Sequence, residues 1–84
     1  MDAITSGLRQ VVVDTDDPDF LYLTVDQECY RIRWSECSIR LSTATAEQRA
    51  SIDISPTGYG IHWPLIDEDL AVEPLIQKAE HRNH

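Results

Sequence analysis

His62 is followed within seven residues by Asp67, Glu68 and Asp69. An imidazole within reach of a carboxylate is the arrangement of a general base, so His62 with Asp67 or Asp69 is the candidate for acid–base chemistry in this chain. The sequence places no nucleophile and no second base beside it. A strand histidine bonded to a neighbouring carboxylate or backbone group accounts for the same residues. The three acids could instead hold a hard cation, but consecutive side chains point in different directions, whereas a calcium loop spaces its ligands alternately around a glycine turn. They are expected before or inside the first turn of a last helix, where carboxylates complement its positive end. Asp14, Asp16, Asp17 and Asp19 cluster around Pro18. That cluster reads as a solvated turn, or as a surface that steers a basic partner. No catalytic triad, metal-ligand spacing or phosphate-cradling loop is present, so no catalytic, cofactor-binding or metal-binding residue is assigned.

The balance of charge narrows the partners. Fifteen acids face seven bases over 84 residues, a formal charge of −8, and six of the seven bases are arginines scattered with no basic run. Nucleic-acid affinity comes from neutralising phosphates with Lys and Arg, so direct binding of DNA or RNA is not expected. A basic protein suits the field better. Cys29 and Cys37 read as free thiols, since a small secreted domain would carry more cysteines at disulfide spacing. The first residues lack the basic and apolar regions of a signal peptide, and no apolar run approaches about 18 residues. The expectation is a cytoplasmic protein without a membrane segment. One domain spans residues 1–84, ordered over about 10–78, with mobile polar tails at 1–8 and 81–84.

The elements that position these residues follow from local patterns. Gln10–Asp14 is β-branched and reads as a first strand. Phe20–Val25 alternates, Asp26-Gln27 makes a turn, and a two-residue loop sets Val25 opposite Glu28, Leu23 opposite Tyr30 and Leu21 opposite Ile32. Gln27 is a poor residue for such a turn, which favours glycine. Trp34–Leu41 is expected as one or two helical turns capped by Ser35, with Cys37 and Leu41 inward. Thr45-Ala46-Glu47-Gln48 is a capping box that starts a helix lasting to about Ser51. Ile52–Ser55 and a strand bearing Tyr59, Ile61 and Trp63 on one face make a second hairpin through Pro56-Thr57-Gly58. Leu75, Ile76 and Ala79 form the buried stripe of the last helix, with Pro74 in its first turn. The class is α+β: a single small domain with an antiparallel sheet of about four to five strands and two to three short helices.

Gly58-Tyr59-Gly60-Ile61-His62-Trp63-Pro64, ending in Asp67-Glu68-Asp69, is the structural signature of the chain. Together with Phe20–Asp26, the Ala44–Ala50 helix start and Val72-Glu73-Pro74-Leu75, it resembles the bacterial domain of unknown function 2442 over about residues 10–77. The resemblance implies a small α+β domain. Some members are joined to a helix-turn-helix module and some lie beside small toxin-like proteins, which implies an antitoxin-like or regulatory role. It carries over no catalytic residue. The chain departs from the family pattern at Gln27, where glycine is usual, at Ala46, where proline opens the helix, and at Ala71, where a serine would cap the last helix.

Phe20, Tyr22, Arg31 and Arg33 share one predicted sheet face, and aromatics mixed with arginine suit a protein interface, unless a helix packs over them. Trp34 and Trp63 are expected in the core, because a domain this small needs their area buried. The leading expectation is a non-enzymatic interaction or regulatory domain for a basic protein, with Phe20, Tyr22, Arg31, Arg33, Asp16, Asp17, Asp19 and His62 as its surface. The alternatives are a small enzyme using His62 with Asp67 or Asp69, and a homo-oligomer paired through the arginine and aromatic face. His62 on a flat exposed strand would remove the enzyme.

Overall fold

A computed structural model describes residues 10–83, with the side chains of 10–80. The order is β1 (Val11–Asp14), β2 (Phe20–Val25), β3 (Glu28–Arg33), α1 (Trp34–Cys37), α2 (Ile39–Ser42), α3 (Ala46–Ala50), β4 (Asp53–Ile54), β5 (Gly60–Trp63), β6 (Glu68–Ala71), α4 (Val72–Gln77) and β7 (His81–Asn83). The α+β class holds, but the strands form two antiparallel sheets rather than one, ordered β1-β2-β3-β7 and β4-β5-β6. One core unites them: Leu21, Leu23, Val25 and Ile32 from the first sheet meet Ile61 and Trp63 from the second, closed by Trp34, Cys37, Leu41, Val72 and Leu75. Both tryptophans are therefore core residues, as expected.

The β2–β3 register is the expected one, with Leu21 opposite Ile32, Leu23 opposite Tyr30 and Val25 opposite Glu28. Its two-residue turn holds Asp26 at φ 50° and Gln27 at φ 76°, the left-handed region that L side chains enter at a cost. Gln27→Gly should relieve that strain and stabilise the domain by roughly 0.5–1 kcal/mol, the entropic cost of glycine subtracted. The melting temperature should rise by roughly 3–6 °C. An unchanged or lower melting temperature contradicts this account of the turn.

Trp34–Ser42 is two single-turn helices, because Ser38 is fully extended (φ −172°, ψ 162°) between them. Ser38 Oγ accepts the Leu41 amide at 3.1 Å, so Ser38 and not Ser35 is the cap. The Thr45 capping box is complete, with Thr45 Oγ1 accepting the Gln48 amide and Gln48 Oε1 accepting the Thr45 amide. Ala71 is the N-cap of α4 and supplies no side-chain bond there, while Pro74 sits in its first turn.

The largest correction concerns the acids after Trp63. Glu68–Ala71 is not a helix lead-in but a strand paired with β5, Trp63 opposite Glu68 and His62 opposite Asp69. Asp67 turns the corner at φ 53°, a conformation that Asp tolerates better than most residues. Only Glu73 is left to face the positive end of α4. Tyr59 precedes its strand and is exposed rather than aligned with Ile61 and Trp63. Residues 81–83, expected as a loose tail, pair with β3; the tail at 1–8 lies outside the described residues.

Cys29 is a half-buried free thiol and Cys37 a buried one. Desolvation dominates at Cys37 and pushes its thiol from 9.0 up to about 12; Lys78 and Arg49 pull the other way, and Glu36 adds to the rise. The folded thiol thus stays protonated where the unfolded one ionises. Its contribution is intact below pH 9.0 and is lost as the pH climbs toward about 12. The sign follows from the unfolded state binding fewer protons in that window. Urea unfolding from pH 8 to 11 should show wild type losing stability faster than Cys37→Ala, by at most about 1.4 kcal/mol per pH unit. Parallel curves would contradict the assignment.

Candidate functional site

β5 alternates Ile61 and Trp63 inward, which turns His62 to the other face. Register then aligns three strands, with Asp53 opposite His62 on one side and Asp69 opposite it on the other. The His62 Nδ1–H donates to Asp69 Oδ1 at 2.7 Å, since a carboxylate at neutral pH can only accept. Asp69 is thus the partner that the sequence offered as one of two, and Asp67 is not. Asp67 lies in the turn, where its carbonyl and that of Ile66 accept from Arg40 Nη1 at 2.8 and 3.1 Å.

His62 is not on a flat strand. With Asp53 and Asp69 it borders a shallow depression of about 290 Å³ that Pro56 and Gly60 also line, while Ile54 and Leu70, paired with Ile61, face the other side of the sheet. Ser55 lines the same depression, which brings a hydroxyl, an imidazole and a carboxylate together. They do not form a relay. Ser55 Oγ accepts the amides of Tyr59 at 3.2 Å and Gly60 at 3.0 Å, and its backbone N–H donates to the Gly60 carbonyl at 2.9 Å. Ser55 therefore sits diagonal to His62, where Cα atoms stand roughly 7–8 Å apart or less, and spends its oxygen closing the turn. Gly58, at φ 77°, makes that turn possible. At Gly60 a Cβ would meet only ordinary contacts, at 3.8 and 3.9 Å. Pro64 opens the next turn, closed by the Ile66 amide donating to the Trp63 carbonyl at 3.3 Å.

The expected sheet face does gather Phe20, Tyr22, Arg31 and Arg33. The Arg31 and Arg33 guanidinium carbons lie 4.4 and 4.8 Å from the Phe20 ring centre, and the Phe20 and Tyr22 rings are 6.2 Å apart. Glu80 reaches into it, 2.6 Å from Arg33 Nε and 3.9 Å from Arg31 Nη2, and Phe20, Tyr22 and Arg31 are half-buried. Both arginines are partly satisfied within the chain.

The acidic turn divides into builders and bystanders. Asp14 Oδ1 accepts the Asp16 amide at 2.9 Å, and Asp17 Oδ1 accepts the amides of Asp19 and Phe20 at 2.8 and 3.1 Å. The core holds the turn as well: Trp34 Nε1–H donates to the Asp17 carbonyl at 3.0 Å, and Arg49 Nη1 to that of Pro18 at 3.1 Å. Asp14 and Asp17 thus shape the loop. Asp16 and Asp19 are exposed on it.

Sequence reasoning missed Arg49 and Arg40, which join elements far apart in the chain. The one available signal was that the bases are nearly all arginine and occur singly, which suits forked donation to carbonyls better than a binding patch.

Among the described residues no group of three His, Cys, Asp or Glu could hold a metal ion. No helix among them is long and apolar enough to cross a membrane. No curated protein and no solved structure matches the chain. A family model matches residues 10–81, nearly all of the described fold, so the chain belongs to the family described as protein of unknown function DUF2442.

Proposed function

We propose that this domain is a cytoplasmic, non-enzymatic interaction module that binds a basic protein through its acidic exterior, as an antitoxin-like partner or a regulator. The observation that carries the reading is the Asp14–Asp19 turn. Its backbone is fixed by Asp14, Asp17, Trp34 and Arg49, so Asp16 and Asp19 present carboxylates that need little ordering on binding. The charge of −8 adds a field that speeds encounter with a cation-rich surface. Capture from native lysate at low salt should retain one specific basic protein that raised salt releases. Recovery of the domain alone, under gentle conditions, counts against the reading.

Self-pairing through the arginine and aromatic face is less well supported. Both of its arginines are already engaged by Glu80 within the chain. A second reading, acid–base catalysis by His62, is favoured by its 2.7 Å bond to Asp69 at the edge of a depression. It requires turnover of a small molecule that disappears in His62→Gln while the melting temperature holds. Turnover that survives the substitution removes it.

A further inference from the structure

We propose that the free edge of β1 receives an extended segment of the basic protein that the domain binds, added as a further strand whose basic residues lie against the Asp14–Asp19 turn; the inference rests on the reading above. In the order β1-β2-β3-β7, β1 has a neighbour on one side only among the described residues. Register shows which of its peptide groups are left over. The Gln10 carbonyl accepts the Asp26 amide at 3.0 Å. Bonded pairs alternate with unbonded ones in an antiparallel ladder, so Val12 and Asp14 bond to Thr24 and Tyr22, and the N–H and C=O of Val11 and Val13 point away from β2. Two donors and two acceptors therefore face outward in the spacing of a strand.

The side chains ask for the same occupant. Val11 and Val13 are only partly covered by the core, and Val12, on the opposite face, is 63% exposed. An added strand covers all three. β1 has no lysine or proline to guard its edge, whereas β4 has two residues, β6 opens on Glu68 and Asp69, and β7 is His81-Arg82-Asn83. Charge then selects between candidates. β1 ends at Asp14, where the acidic turn with its exposed Asp16 and Asp19 begins. A second copy would set another −8 beside it, and a purely apolar segment would leave the carboxylates unmatched. Apolar residues opposite Val11–Val13, with lysine or arginine beyond Asp14, satisfy backbone, valines and carboxylates together.

The test is a titration of the ¹⁵N-labelled domain with acetyl-Lys-Lys-Val-Thr-Val-amide, which places its lysines at the Asp14 end when it pairs antiparallel. Before peptide is added, the Val11 and Val13 amides should exchange with solvent freely while those of Val12 and Asp14 are protected. The peptide should shift the amides of Val11, Val13 and Asp16. N-methylation of its first valine, which removes one ladder donor, should weaken binding at least about tenfold, and so should glutamate in place of both lysines. Val13→Pro removes only a donor that faces away from β2, so that variant should fold and lose the peptide by a similar factor. If it does not fold, the N-methyl comparison on the wild-type domain decides. Equal binding of the N-methylated or the glutamate peptide overturns the proposal. Protected Val11 and Val13 amides in the peptide-free domain also overturn it, because the edge is then already taken, by a second copy if the sedimenting mass doubles and by the chain itself if it does not. No response to the peptide, from a domain that still captures its basic protein, overturns the edge proposal and leaves the interaction reading intact. Failure of capture itself removes the reading on which the edge proposal rests.

Discussion

Trp63→Ala should remove about 4–8 kcal/mol of the domain's stability. Trp63 is fully buried between the two sheets, and its indole Nε1–H donates to the Arg49 carbonyl at 3.1 Å. Truncating a buried tryptophan to alanine costs about 3–5 kcal/mol through lost burial and the cavity left behind. The stranded Arg49 carbonyl adds about 1–3 kcal/mol where water does not reach it. An 84-residue domain has roughly 4–13 kcal/mol in total, so this change unfolds a domain at the lower end of that range and leaves one at the upper end with about 5–9 kcal/mol. Trp63→Phe should fold and lose about 1–3 kcal/mol, because the ring still fills much of the space while the hydrogen bond is gone. Circular dichroism with urea titration separates the two variants. Equal, small losses would show that the core does not depend on this residue.

Arg49 should prove as costly to alter as many core positions, although it is neither apolar nor fully buried. From α3 its Nε donates to the Leu41 carbonyl at 2.9 Å, Nη2 to Ser42 at 3.2 Å and Nη1 to Pro18 at 3.1 Å. Its guanidinium carbon lies 4.7 Å from the Trp34 ring centre. One side chain thus ties the end of α2, the acidic turn and the core tryptophan to α3. Arg49→Met keeps the stem and strands three carbonyls, two of them by part-buried bonds, for an expected loss of about 2–4 kcal/mol. Arg49→Lys should recover less than half of that, since a single ammonium cannot reproduce the planar fork. Urea unfolding measures both losses. Limited proteolysis should find new cleavage within Asp14–Asp19 in the methionine variant, because its anchor at Pro18 is gone. A methionine variant as stable as wild type would reduce these bonds to surface decoration.

The parts of this fold that could be read from sequence are those in which local pattern and tertiary pairing agree. Alternation in Phe20–Val25 and Glu28–Arg33, joined by a two-residue turn, leaves one register that keeps Leu21, Leu23 and Ile32 on the same side. The Thr45 box is likewise complete within four residues. Glu68–Ala71 was not legible, because two acids ahead of Leu-Ala carry little strand propensity and the backbone ladder with β5 decides the matter instead. The same ladder explains the candidate site. Once Pro64–Asp67 is a turn, His62 must face Asp69, and a carboxylate at Asp67 is out of reach. The separation into two sheets, the break at Ser38 and the carbonyl-binding role of Arg49 each depend on neighbours more than three residues away or on the packing of whole elements. Nothing local to those residues announces them.

The central claim is that the unusual residues of this chain build the scaffold and that its exposed carboxylates do the work. The most direct measurement compares native-lysate capture by wild type with capture by a domain neutralised at Asp16→Asn, Asp19→Asn, Asp53→Asn and Asp69→Asn, each preparation also being melted. The neutralised domain should melt close to wild type, since none of these four side chains is buried, and should lose the basic protein that wild type retains. Retention of that protein by the neutralised domain, at the same salt, would contradict it.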